Sequence, residues 1–217
     1  MAGIDYARLY KYRIRHIDLE KRQKVWNAIA TYIYEAMDRP EVVLDPAAGN
    51  YEYLNATPAR ERWGVDAASY AVNRDPMIKA ITANIGNVQL PEDYFDGVFI
   101  SNFLEHLSNQ DEIADLLAQM RSAMKPGGRI TIIGPNFRHC VRSYFDYADH
   151  VLALSHLAVI EHLSASGFRV SKARSRFLPY SFSGLLPASY GLTAAYLRVP
   201  LAWHIFGKQF LVIATKE

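Results

Sequence analysis

The sequence holds one cysteine, Cys140, in 217 residues. No internal disulfide can form from it, and nothing points to an oxidising compartment. No apolar run reaches ~18 residues, so a spanning helix is not expected. No early apolar stretch follows a basic start, so no secretory leader is expected and the cytoplasm is the expected location. An excess of one charge is also lacking. The 24 Lys and Arg stand against 22 Asp and Glu, a formal net charge of +2, which announces no strong polyelectrolyte partner. Twelve Gly and ten Pro are too few for a fibrous or low-complexity chain. Two phosphate-binding signatures are absent as well: there is no G-x-G-x-x-G and no Lys-Ser/Thr pair behind the first strand. These absences argue against dinucleotide oxidoreduction and against phosphoryl transfer. What is present is a globular balance, 50% hydrophobic and 21% charged, which excludes disorder of the whole chain. Length and the lack of a linker or internal repeat favour a single domain over residues 1–217.

The first forty residues read as helical. A basic, aromatic start is followed by Val25, Ile29, Tyr32 and Ile33 at helix spacing, and Arg39-Pro40 is expected to end that helix. Strand and helix signals then alternate. Glu41-Val42-Val43-Leu44-Asp45, Trp63-Gly64-Val65-Asp66, Gly97 to Ser101 and Arg129 to Ile133 read as buried strands. Ile113, Leu116, Leu117 and Met120 form one face of a helix before the last of these, closed by Lys125-Pro126-Gly127-Gly128. Later, Leu157, Ile160 and Leu163 give a helix face with Gly167 as its stop, and Phe168 to Ala173 and Phe210 to Thr215 read as two late strands around an aromatic insert, 177–206. Repeated βαβ units with short connections predict an α/β fold, a doubly wound parallel sheet covered on both faces.

The segment Asp45-Pro46-Ala47-Ala48-Gly49-Asn50-Tyr51 leaves a buried strand through small residues and enters a helix. Ligands of doubly wound folds bind at the carboxyl ends of the strands, and small residues there let the backbone approach closely. Asp66 ends the next strand about 20 residues later, a spacing suited to an acid that accepts hydrogen bonds from ribose hydroxyls. A nucleoside without phosphate makes fewer demands on such a loop than a dinucleotide does.

In this order and spacing the segments resemble the class I S-adenosylmethionine-dependent methyltransferases, from about residue 41 to 133. That resemblance implies a Rossmann-like, mostly parallel seven-stranded sheet with a late antiparallel strand, and S-adenosylmethionine as cofactor. It implies a cofactor-binding half at 41–135, an acceptor-side half at 136–217 and an N-terminal helical lid at 1–40. Asp45, Ala47, Gly49 and Tyr51 match the loop that meets the methionine part, and Asp66 with Ala67 the acid that holds the ribose. Asn84-Ile85 falls beside the adenine, and Ser101-Asn102 matches the cofactor-touching segment after the fourth strand. Ala47 and Tyr51 stand where the family prefers glycine, and Asn84 where it prefers an acid.

Displacement at a sulfonium methyl is carried by the cofactor, so the protein chiefly binds, orients and excludes water. A base is needed for a hydroxyl or a protonated amine. His106 and His150 are the two candidates, Asn102 and His106 being expected on one helix face with Glu105 adjoining. A Glu-x-x-Glu-His pattern would suggest metal, but Asn102 replaces its first Glu, and no metal is expected. Asn136, His139, Tyr144, Asp146, Tyr147, Asp149, His150 and His156 form a polar, aromatic cluster suited to an oxygen-rich or ring-bearing acceptor. The expectation is methyl transfer to a small-molecule or glycan-type acceptor at oxygen. Nucleic acid is disfavoured, peripheral membrane contact is left open by the apolar insert, and the chain is expected as a monomer or homodimer. The alternative is a non-catalytic methyltransferase-like binding module.

Overall fold

A computed structural model describes residues 5–68, 74–180 and 189–217; part of the 177–206 insert and of the N-terminal segment lies outside them. Helix α1 (Tyr6–Ile14) opens on Asp5, whose carboxylate accepts from the Arg8 amide, and α2 (Leu19–Ala36) on Asp18, which accepts from the amides of Glu20 and Lys21. Such caps satisfy amides that have no partner inside the helix. Helix α2 stops at Ala36, earlier than Pro40 requires, because Asp38 and Arg39 turn the chain through the left-handed region.

The sheet is built from β1 (Val42–Asp45), β2 (Glu61–Asp66), β3 (Lys79–Thr82), β4 (Phe95–Ser101), β5 (Met124–Pro135), β6 (Phe168–Arg174) and β7 (Gln209–Lys216). Their order is β3-β2-β1-β4-β5-β7-β6. All neighbours are parallel except those of β7, which runs antiparallel to both β5 and β6. The doubly wound sheet with its late antiparallel strand is therefore present. Strand β3 has no counterpart in the sequence reading, since four residues of mixed polarity carry little periodic signal. The Lys125 to Gly128 turn is drawn into the irregular start of β5, where the register with β4 shifts, and Gly127 is left-handed there (φ 78°).

Alternate strand residues feed two cores, as a pleated strand requires. Leu44, Val98, Ile100, Ile130 and Ile132 pack with α4 (Gln110–Ala123) and α6 (His156–Ala165). Val43, Phe99, Ile133 and Leu211 pack with α2 and with α7 (Tyr190–Leu197) and α8 (Pro200–Phe206). The buried residues of α6 are Val159 and Leu163, while Leu157 is exposed. Gly167 ends α6 in the left-handed conformation (φ 79°), as a helix stop should. Two short helices, α3 (Glu52–Ala56) and α5 (Phe137–Cys140), follow β1 and β5.

Candidate active site

Parallel strands place the segments that follow them on one rim. Here the order β3-β2-β1-β4-β5 lines up, side by side, Asn84-Ile85, then Asp66-Ala67, then the 45–51 loop, then Ser101-Asn102, then the segment after β5. Backbone bonds knit the rim: Ala48 N–H to Val65 O (2.9 Å), Ala83 N–H to Asp66 O (2.9 Å) and Asn102 N–H to Ile133 O (2.9 Å).

Asp45 is 4% exposed, and its Oδ1 accepts from the Ala47 amide at 3.1 Å. Burial pushes its carboxyl up to about 8, with nearby Asp66 and Glu52 adding to the rise against the pull of the Ala47 amide. A buried acid in that state has been desolvated without a compensating cation among the described residues. Asp66 holds both of its oxygens inward: Oδ2 accepts from the Gly49 amide at 2.8 Å and Oδ1 from the Ala68 amide at 2.9 Å. Gly49 is left-handed (φ 52°), and a Cβ there would meet only the Tyr10 hydroxyl, at 3.8 Å. Ala47 is half-buried beside it and Ala67 is exposed. Asn84 is exposed, and its side chain accepts from the Gly86 amide at 3.0 Å, capping the short helix Ile85–Asn87. Ile85 is buried below it.

Tyr51 does not fill the crevice. It is 5% exposed, and its ring packs against β2 at Gly64, beside Leu54, on the α2 face of the sheet. Its backbone is left-handed (φ 63°), the conformation glycine adopts without penalty. The bulky side chain is thus accommodated by a glycine on the neighbouring strand.

Helix α1 lies over the loop. Asn50 Nδ2 donates to the Tyr10 hydroxyl at 3.4 Å. Burial pushes that hydroxyl up to about 12, Arg22 opposing and Glu52 and Asp66 adding to the rise. Arg22 pairs with Glu52. At the far end of α1, Arg13 bonds to Asp149 after β5 and sits 4.7 Å over the ring of Tyr147.

The two histidines meet at this point. Their ring centroids are 5.0 Å apart, edge to face. His106 Nδ1 lies 2.9 Å from the Asp149 carbonyl oxygen and 3.4 Å from its carboxylate. A carbonyl only accepts, so Nδ1 donates to it, and Nε2 is an acceptor whenever the ring is neutral. Burial would raise Asp149, but the Arg13 hydrogen bond and the His106 and Arg13 charges carry it below its ordinary range. His150 stacks on Tyr147 at 5.0 Å. Burial, with His106 close by, depresses it to about 4, and its Nδ1 is buried with no hydrogen-bond partner among the described residues. The expectation that Asn102 and His106 share a helix face is not met. Asn102 is left-handed (φ 50°) and outside any helix, and only Leu104–His106 form a 3-10 turn.

Sequence reasoning gave Glu105 no role of its own. It is buried, desolvation raises its carboxyl, and its backbone carbonyl accepts from the amides of Val151 and Leu152. Glu105, His106 and His150 present one ligand atom each within 4.8 Å of one another, the one spot among the described residues where side chains of the site could enclose a cation. An acid inside the apolar run Phe103-Leu104-Glu105-His106-Leu107 was the available signal. Several residues of the polar cluster turn out to be scaffold. The Asn136 amide donates to the Ser175 carbonyl at 2.8 Å and meets His156 Nδ1 at 3.1 Å. The Tyr144 hydroxyl donates to Leu152 O and accepts from the Leu154 amide.

Against known families, residues 44–132 match the profile of a methyltransferase domain. That stretch is similar to S-adenosylmethionine-dependent methyltransferases. The chain is 29% identical over 124 residues to the ubiquinone/menaquinone biosynthesis C-methyltransferase UbiE of Burkholderia cenocepacia, the match covering 51% of the chain and 49% of that relative. It thus spans about half the length of the curated relatives it matches. A SAM-dependent methyltransferase from Archaeoglobus fulgidus superposes with a TM-score of 0.70 at 21% identity, over 98% of this chain and 100% of the other. A 1,6-didemethyltoxoflavin-N1-methyltransferase from Burkholderia thailandensis, solved with its substrate and S-adenosylhomocysteine, superposes with a TM-score of 0.60 at 17% identity, over 100% and 92%. At these identities the two structures establish the shared fold.

The rim suits the family's cofactor. A glycine cradle stands open beside Asp66, and a buried carboxyl without a cation stands beside the loop that would meet a cationic methionine moiety.

Proposed function

We propose that the protein transfers a methyl group from S-adenosylmethionine to a small-molecule or glycan-type acceptor, at oxygen. The observation that carries this reading is the contiguous rim, in which Asp66, the 45–51 loop and the His106 cluster stand on adjacent strands. When bound, the cofactor supplies a methyl group activated by a sulfonium. Asp66 accepts hydrogen bonds from the ribose hydroxyls while keeping the Gly49 amide in place. The backbone of Ala47 and Gly49, with Asp45 below and Tyr51 anchored beneath, forms the floor for the methionine part. Asn84 and Ile85 border the adenine, and Ser101 and Asn102 close the far side.

His106 is the base. Its Nδ1–H is fixed by the Asp149 carbonyl, so Nε2 takes the acceptor's proton. Arg13 pairs with Asp149 and joins α1 to this corner, which makes α1 the lid over both ligands. His150, kept neutral, orients the acceptor beside the Tyr147 ring. A second reading, transfer to a ring carbon, draws on the name of the curated C-methyltransferase relatives; the same base would ionise a ring hydroxyl to raise nucleophilicity at carbon.

Calorimetric titration with S-adenosylhomocysteine tests the cofactor assignment: saturable heat is expected, and no heat or thermal shift at millimolar ligand defeats it. Turnover with hydroxylated acceptors, read by mass spectrometry of the product, separates transfer to oxygen from transfer to carbon.

A further inference from the structure

Among the described residues, helices α7 and α8 leave one face without a partner. Trp203 of α8 is buried, its indole N–H donating to the Tyr196 carbonyl at 3.0 Å. Leu201 and Ile205, one turn apart on the other side of α8, are 71% and 65% exposed, and Phe206 is 55% exposed. Tyr190 and Leu192 of α7 and Val199 between the two helices are exposed as well. Exposed apolar side chains gathered on one short helix mark an interaction site.

Charge says what would cover it. From His162 to Lys216 the sequence has no Asp or Glu and has 7 Lys and Arg, although the whole chain is close to neutral. Arg198 stands at the start of α8, Lys208 just past its end and Arg174 at the end of β6, and all three are exposed. An apolar ridge in a segment whose only charged side chains are cations complements a surface with apolar depth and negative headgroups. A second copy of this chain would bring the same cations against themselves.

Position adds a third observation. The Lys208 carbonyl accepts from the Asn136 amide at 2.9 Å and the Lys208 amide donates to the Leu178 carbonyl at 2.7 Å. Two residues on from Leu178, Tyr180 donates to the Ser143 carbonyl at 3.1 Å and packs against Tyr147, ring centroids 5.6 Å apart. The exposed end of α8 therefore borders the rim that carries His106 and His150.

We propose that the α7–α8 face docks on an anionic lipid bilayer, which sets the active-site rim beside the membrane surface. The surface assignment is independent of the methyl-transfer reading. The test is flotation with phosphatidylcholine vesicles and with vesicles containing phosphatidylglycerol, for the parent, the double variant Leu201→Glu/Ile205→Glu and the charge variant Arg198→Glu/Lys208→Glu. The parent should float with the anionic vesicles only, less so as salt rises, and each variant should lose about ten-fold or more in vesicle affinity. Thermal melts of both variants check folding, and the two act through different forces, so either alone suffices. Three results overturn the proposal: no flotation, equal flotation with neutral vesicles, or variants that bind like the parent. A concentration-dependent dimer that the apolar variant dissolves, with no vesicle binding, also overturns it and assigns the face to a second copy.

Discussion

Gly64→Ala tests how Tyr51 is accommodated. A Cβ built at position 64 lies 2.4 Å from Tyr51 Cε1, 2.8 Å from Leu54 Cδ1 and 3.0 Å from Tyr51 Cδ1. Neither neighbour can retreat freely, since Tyr51 is 5% and Leu54 0% exposed. Overpacking of this kind costs about 1–3 kcal/mol. At roughly 2–4 °C per kcal/mol for a chain of this size, the melting temperature should fall by about 2–12 °C. Tyr51→Gly is the partner substitution. It removes the ring, at about 3–5 kcal/mol for the lost burial, and recovers about 1 kcal/mol from the left-handed backbone. Because the two substitutions meet at one contact, the double variant should be more stable than the sum of the singles by about 1–3 kcal/mol. Urea denaturation of the four proteins, followed by circular dichroism, measures that coupling. Strict additivity, or a Gly64→Ala protein as stable as the parent, would show that the ring does not rest on Gly64.

Asp66→Ala should lose about 1–3 kcal/mol in S-adenosylhomocysteine binding, roughly 5- to 150-fold in Kd; an unchanged calorimetric Kd refutes the ribose contact. His106→Ala should lower turnover about 10²- to 10⁴-fold with cofactor affinity kept, and His150→Ala should act on the acceptor KM instead, so equal kinetics in both variants remove the assigned base. Asp45 gives a pH signature. Its carboxyl holds a proton up to about 8 in the fold but releases it near the ordinary value of about 4 when unfolded. Between those values the folded state binds more protons, so stability falls as pH rises through the window, and the loss is complete above it. Asp45→Asn cannot ionise. Its stability relative to the parent should therefore rise from pH 4 to pH 9 in ligand-free denaturation, and a flat or opposite trend sinks the idea of a desolvated acid.

Much of the fold was legible because the central strands announce themselves. Val42 to Asp45 and Gly97 to Ser101 are short, apolar and bounded by turns, and a parallel sheet buries such runs on both faces. Strand β3 was not legible, because a four-residue edge strand with one partly buried residue on each face keeps no pattern to read. In the site, Asp45, Gly49 and Asp66 could be placed from spacing, since loop and second strand are consecutive and the Gly49–Asp66 contact spans 17 residues. The His106 corner could not. Its defining contact, Arg13 with Asp149, joins residues 136 apart, and no local period encodes such a meeting. The same holds for the division of the polar cluster, where only three-dimensional packing decides that Asn136 and Tyr144 spend their polar atoms on the backbone while His150 keeps one nitrogen unspent.

The sheet's two margins are not alike, yet both resist adding a stranger. One is β3, too short at four residues to template a foreign strand. The other is β6, which carries Arg169, Lys172 and Arg174 and slips register against β7 between Val170 and Lys172. Brevity on one flank, and like-charge repulsion with a distorted ladder on the other, oppose lateral growth into fibrils. An α/β protein whose slow parallel pairing leaves strands bare during folding gains from having its borders unfit for recruitment.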